Sequence, residues 1–125
     1  MKHHLKLLLF TILFAFCLPA VGRTADTPGE PSGLRLIIEG KGFLLTWNAS
    51  PDDPGMVTGY EIDRAEVASG PFETVGKVEA GVLKYKDGKA KQENIYYYKV
   101  RAVSHKAAKA YSPYSNTVTG ELAGN

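Results

Sequence analysis

The sequence holds a single cysteine, Cys17, in 125 residues. One thiol excludes an internal disulfide framework and any zinc site built on more than one thiolate. Histidine is almost as scarce, at His3, His4 and His105, and tryptophan occurs once, at Trp47. The thirteen glycines are spread singly through turn-like stretches, so no glycine-rich phosphate loop is present. Nor is there a run of charge of one sign. At 44% hydrophobic and 22% charged, the composition excludes both a disordered polyampholyte and a membrane bundle. The length fits one ordinary domain, since domains typically run to roughly 100–150 residues.

The one long apolar run sits at the start. A basic head, Met1-Lys2-His3-His4-Leu5-Lys6, is followed by an uncharged stretch from Leu7 through Val21, broken by Pro19. Ala20-Val21-Gly22 then places small residues at the −3 and −1 positions of a cleavage before Arg23. Basic head, apolar middle and small-residue exit make residues 1–22 a secretory signal peptide. An uncleaved anchor is disfavoured, because the run is shorter than the ~20 apolar residues that span a bilayer. Phe16, directly before Cys17, disfavours a lipoprotein anchor. Cleavage after Gly22 removes the thiol and two of the three histidines, which suits a secreted or periplasmic location. It also removes Lys2 and Lys6 but no acid, so thirteen basic residues face thirteen acidic ones and the net charge of +2 vanishes. A neutral domain with interspersed charges is not expected to bind nucleic acid, or to meet a membrane except through its export signal. Residues 23–30 are polar, contain a Pro-Gly pair and read as a flexible lead-in; residues 123–125 read as a tail.

From Pro31 onward the period is two. Leu34, Leu36 and Ile38 alternate before the turn-prone Glu39-Gly40-Lys41-Gly42, and Phe43, Leu45 and Trp47 alternate after it. A polar stretch through Pro51-Asp52-Asp53-Pro54-Gly55 bars any regular element. Tyr60 and Ile62 head a strand ending near Ala65, and Phe72 to Val78 forms another. Residues 81–85 make a weaker strand. The strongest runs from Ile95 to Val103, with Tyr96, Tyr98, Val100 and Ala102 on one face and Tyr97, Lys99 and Arg101 on the other, wet one. A last strand spans about Ser115 to Glu121. The spacing predicts an all-β, immunoglobulin-like sandwich of about seven antiparallel strands. Its expected core includes Leu45, Trp47, Tyr60, Ile62, Tyr96, Tyr98 and Val100.

These residues resemble the fibronectin type III family in its bacterial secreted style, from Pro31 to about Leu122. The resemblance rests on Pro31 and Leu34, Leu45-Thr46-Trp47, Gly59-Tyr60-Glu61-Ile62 and Gly70-Pro71-Phe72. It continues with Tyr85-Lys86-Asp87, the run Tyr96 to Val103, and Ser112-Pro113-Tyr114-Ser115-Asn116. It implies two antiparallel sheets with Greek-key connections and no disulfide. Tyr96 is placed at the tyrosine corner, its hydroxyl bonded to backbone of the preceding connection. Ala90 and Gln92-Glu93 depart from the family pattern there, which predicts looser packing of the corner.

Chemistry-bearing residues are few. Without a thiol or a positioned partner set, His105 forms neither a Cys–His dyad nor a Ser–His–acid triad and reads as a solvated loop residue. Asp52 and Asp53 lack the spaced acid series of a calcium loop, so turn chemistry explains them better than a metal. No cofactor is implied. Asn48-Ala49-Ser50 fits a glycosylation acceptor, with Pro51 directly behind it. Tyr97, flanked by Lys99 and Arg101, is a modest stripe rather than an aromatic platform. What remains is one end of the sandwich, where the connections at Asn48–Met56 and Ser104–Ser112 emerge together. They offer Asp52, Asp53 and Met56 on one side and His105, Lys106, Lys109 and Tyr111 on the other. The alternative is that acids and lysines there face each other as weak surface pairs. The expected function is a monomeric, non-catalytic module making protein or glycan contacts outside the cytoplasm. The alternative function is a polysaccharide-binding accessory domain of an extracellular hydrolase.

Overall fold

The computed structural model describes residues 27–124; the expected signal peptide, the first half of the lead-in and the end of the tail lie outside the described residues. Eight strands follow in order: β1 (Ser32–Glu39), β2 (Gly42–Asn48), β3 (Gly59–Ala65), β4 (Glu73–Glu79), β5 (Lys84–Asp87), β6 (Ile95–Ser104), β7 (Ala110–Tyr111) and β8 (Val118–Glu121). They form two antiparallel sheets. One has the order β1-β2-β5; the other has the order β4-β3-β6, with β7 and β8 both pairing with β6. This is the immunoglobulin-like sandwich that the period-two pattern predicts.

The register explains the pattern. Glu39 pairs with Gly42 across the two-residue turn Gly40-Lys41, with Gly40 in the left-handed region at φ 62°. Alternate residues then point inward from both sheets: Leu34, Phe43, Leu45 and Trp47 from one, and Tyr60, Ile62, Tyr96, Tyr98, Val100 and Ala102 from the other, all buried. Large rings fill the space edge-on. Trp47 meets Tyr60 at 5.7 Å between centroids and 62°, and Phe43 meets Tyr98 at 5.8 Å and 74°. At one sheet edge, Tyr85 of β5 reaches across to β4, where its hydroxyl donates to the Val75 carbonyl at 2.8 Å. Its ring occupies the space above Gly76, where a Cβ would lie only 2.4 Å away. Any other residue at position 76 would displace the Tyr85 ring.

Two departures from the alternation have physical causes. Ile37 and Ile38 are both more than half exposed, so the inward face of β1 ends at the half-buried Leu36. They sit beside the Gly40-Lys41 turn, at the tip of a hairpin on the sheet edge. The expected last strand begins only at Val118 rather than Ser115, and a further short strand, β7, precedes it, separated by residues 112–117. Pro113 in this gap has no N–H to give a ladder. Instead, the Ser112 hydroxyl accepts from the Ala102 N–H at 2.8 Å and the Ser115 hydroxyl accepts from the Val100 N–H at 3.0 Å. In return, the Ser112 and Ser115 N–H groups donate to the carbonyls of Ala102 and Val100. Side-chain oxygens thus stand in for strand carbonyls and leave the gap free to adopt a different repeat. Beside it, Asn116 clasps β1, accepting from the Leu34 N–H at 2.9 Å and donating to the Leu34 carbonyl at 3.0 Å.

At the end of the sandwich where β5 runs into β6, a buried carboxylate organises the core. Asp87 accepts from the Tyr98 hydroxyl at 2.6 Å, from Arg64 Nη1 at 2.8 Å and from the Lys89 N–H at 3.0 Å. The Arg64 guanidinium also lies 4.8 Å from the centre of the Tyr96 ring. Burial alone would raise the Asp87 pKa, but the three donors and the Arg64 charge outweigh it and hold the carboxyl below its ordinary range. Burial and this carboxylate together push the Tyr98 hydroxyl pKa far up. The Tyr96 hydroxyl accepts from the Lys91 N–H at 3.0 Å and from Asn94 Nδ2 at 3.3 Å. That ties down the connection in which Ala90, Gln92 and Glu93 depart from the family pattern.

Candidate functional site

The opposite end carries the connections at 49–58 and 105–109, and they differ in how they are held. In the first, the acids are consumed by the fold. Asp53 accepts from the Tyr60 hydroxyl at 2.8 Å and from the Gly81 N–H at 2.9 Å, while the Tyr60 hydroxyl accepts from the Ser50 N–H at 3.0 Å. Burial, reinforced by Asp53, pushes the Tyr60 pKa up to about 12. Asp52 accepts from the Gly29 N–H at 2.8 Å, and its carbonyl accepts from the N–H groups of Met56 and Val57. Neither carboxylate pairs with a lysine among the described residues. Both therefore do the turn chemistry that their Pro-Asp-Asp-Pro-Gly setting suggests.

The second connection projects. His105 to Lys109 are all exposed, and the one side-chain bond within the segment is a donation from the Lys106 N–H to the Ser104 hydroxyl at 3.3 Å. Met56 meets this loop across a hollow of about 290 Å³ lined by Ser104, Lys106, Ala107, Ala108, Lys109 and Ala110. The floor is mostly apolar and the rim carries two lysines. An adjoining groove of about 250 Å³ runs onto the outer face of the second sheet, where Lys77, Val103, His105 and Lys109 surround Gly59. The structure therefore brings Met56, His105, Lys106 and Lys109 to one place and leaves Asp52 and Asp53 out of both hollows.

Tyr111 is not a loop residue. It belongs to β7, opposite Val103, and its ring takes part in a column along the outer sheet face. In this column Lys99 Nζ lies 4.1 Å from the centre of the Phe72 ring and 4.0 Å from that of Tyr114. The Arg101 guanidinium lies 5.0 Å from the Tyr114 centre and 3.7 Å from Tyr111, and Lys109 Nζ lies 5.3 Å from Tyr111. Rings and cations alternate, each cation held over a ring face. Beneath them sit two buried acids. Glu61 accepts from Arg101 Nη2 at 3.1 Å and Nε at 3.3 Å; Asp63 accepts from Thr74 Oγ1 at 2.7 Å and from the Tyr114 hydroxyl. Burial, with Asp63 adding to it, pushes the Tyr114 pKa up to about 12.

The expected wet face with one modest tyrosine stripe is therefore corrected. It is a second, polar layer of packing, built because Phe72, Tyr111 and Tyr114 arrive from outside β6. The three-residue spacing of Tyr111-Ser112 and Tyr114-Ser115 conceals it. In a regular strand, residues 111 and 114 would face opposite sides. The irregular gap turns both rings onto Arg101. Chemically, the end and the column offer cations, an apolar hollow and covered rings. No group of three or more metal-ligating side chains occurs among the described residues.

Comparison with known proteins places the fold. An Fn3-like protein from Clostridium thermocellum superposes with a TM-score of 0.64 at 26% identity, covering 78% of this chain and 96% of that one. The fold is that of a fibronectin type III domain. Another match lies within a pectate lyase from Erwinia chrysanthemi, determined in complex with tetragalacturonic acid. It has a TM-score of 0.55 and 26% identity, and covers 69% of this chain and 27% of the lyase. Among curated proteins, an amylopullulanase from Thermoanaerobacter thermohydrosulfuricus is 37% identical over 78 residues. That stretch is 62% of this chain but only 5% of the amylopullulanase. No family model matches the chain. Segments similar to this chain thus occur in proteins named for action on carbohydrate, as a small share of each.

Proposed function

We propose that this fibronectin type III domain is a non-catalytic contact module acting outside the cytoplasm, which engages a protein partner through the end bearing Met56 and residues 105–110. One observation carries the reading: an apolar hollow rimmed by lysines, on a scaffold whose buried carboxylates are each held by donors of the fold. Such a rim of loop residues suits a protein surface. A flat glycan needs open ring faces on which to stack, and here the faces of Tyr111 and Tyr114 are covered by Arg101 and Lys99. The basic, apolar leader at residues 1–22 supports an extracytoplasmic role.

The test is capture of the mature protein's partner from its own envelope extract, followed by the same experiment with Lys106→Ala and Lys109→Ala combined. Loss of capture supports the reading, and undiminished capture removes this end from it. A second reading, a polysaccharide-binding accessory module, is favoured by the likeness to the amylopullulanase and the pectate lyase. A broad glycan array that stays silent while one protein is captured would sink it.

A further inference from the structure

The two hollows at the loop end share one residue, Lys109, which lines both. On one side of it lies the hollow floored by Met56, Ala107, Ala108 and Ala110, with no flat ring among its lining residues. On the other lies the groove between Lys77 and His105, whose floor is Val103 and the bare backbone of Gly59. A Cβ at Gly59 would lie 2.5 Å from the Val78 carbonyl oxygen, so the close approach of β3 to β4 leaves room only for glycine at this point of the floor. Charge in the groove is one-sided. Its single carboxylate, Glu61, is 5% exposed and already bound twice by Arg101. Lys77 and Lys109 form no ion pair among the described residues. Lys109 is moreover placed by the ring of Tyr111, the last rung of the column.

We propose that this end recognises an extended peptide in which an aliphatic side chain stands next to one or more carboxylates. The aliphatic group fills the Met56–alanine hollow, and the neighbouring carboxylate lies in the groove between Lys77 and Lys109, with the His105 ring nitrogen as a further polar contact. The two chemistries are adjacent because the hollows are, and Lys109 marks the boundary between them. The inference rests on the protein-contact reading above and gives that partner its chemistry.

The test uses the mature domain and a blocked peptide with a central leucine flanked by glutamates, followed by amide NMR titration. Saturable binding is expected, with shifts concentrated at residues 56–59, 77–79 and 103–110. Lys77→Gln with Lys109→Gln should weaken it at least tenfold, as should replacing the peptide's glutamates by glutamines. Replacing its leucine by alanine should weaken it several-fold. Absence of saturable binding overturns the proposal, as does affinity indifferent to the two lysines. Tighter binding of an oligogalacturonate than of the peptide also overturns it, by making the ligand an acidic glycan. If the peptide fails while Lys106→Ala with Lys109→Ala still abolishes partner capture, this inference falls and the protein-contact reading stands.

Discussion

The two ends of this sandwich are built on opposite terms. At the Asp87 end, the buried polar groups are tied inward: one carboxylate takes three donors, and the Tyr96 hydroxyl takes two more from the connection outside it. At the other end, the 49–58 connection is tied inward by Asp52 and Asp53, but residues 105–109 stand clear, with lysines that pair with no acid among the described residues. Buried polar groups left without partners are costly, so a closed end must satisfy all of its own. An open end leaves groups in water, where they remain free for another molecule. The asymmetry is a physical argument for which end does the contacting.

Substitutions should separate the ends by size of effect. The largest loss is expected beneath the open end, where Trp47 packs on Tyr60. Trp47→Ala should cost about 3–5 kcal/mol in denaturant unfolding, and an unchanged midpoint would mean that the indole is not part of the core. Next comes the closed end itself. Asp87→Ala leaves Arg64 and the Tyr98 hydroxyl without their acceptor and should cost about 3 kcal/mol. The same carboxylate sets a pH dependence. Its folded-state pKa lies below the unfolded one, so its contribution is whole above the ordinary carboxylate range and is lost as pH falls through the folded value. Stability should therefore fall more steeply below about pH 4 in the native protein than in Asp87→Asn; equal slopes would refute the linkage.

Smaller effects sharpen the contrast. Tyr60→Phe removes the hydroxyl that joins Ser50 to Asp53, and should cost roughly 1–3 kcal/mol. The loss should appear as faster amide exchange over residues 50–57, with the Asp87 end undisturbed. Smallest of all, Lys106→Ala with Lys109→Ala should stay within about 0.5 kcal/mol of the native stability while abolishing partner capture. A large loss of stability in that variant would show that the open end is not free.

What the sequence made legible follows the same division. The inward residues of β2, β3 and β6 are readable because alternation is a local signal, and each strand states its own half of the core. The polar layer is not. Glu61 and Asp63 sit at positions that alternation assigns to solvent, and what buries them comes from elsewhere: Phe72 before β4, and Tyr111 and Tyr114 some fifty residues downstream. No window of sequence holds both partners. Ile38 fails for a related reason, since alternation cannot tell where the opposing sheet stops. At the loop end, the residue types Met56, Lys106 and Lys109 were visible, but Lys77 and Gly59 join them only through the pairing of β3 with β4 and β6.

The alternating column on the outer face also carries a consequence for descent. Lys99 touches two rings, and Arg101 touches two rings and an acid, so no rung between them can be lost alone without leaving a charge stranded on a neighbour. In lineages that share this domain, Phe72, Lys99, Tyr114, Arg101 and Tyr111 should change together or not at all, an inherited unit scattered over forty positions. Lys77, Lys106 and the alanines of the projecting loop carry no such bond and are free to diverge as the partner does.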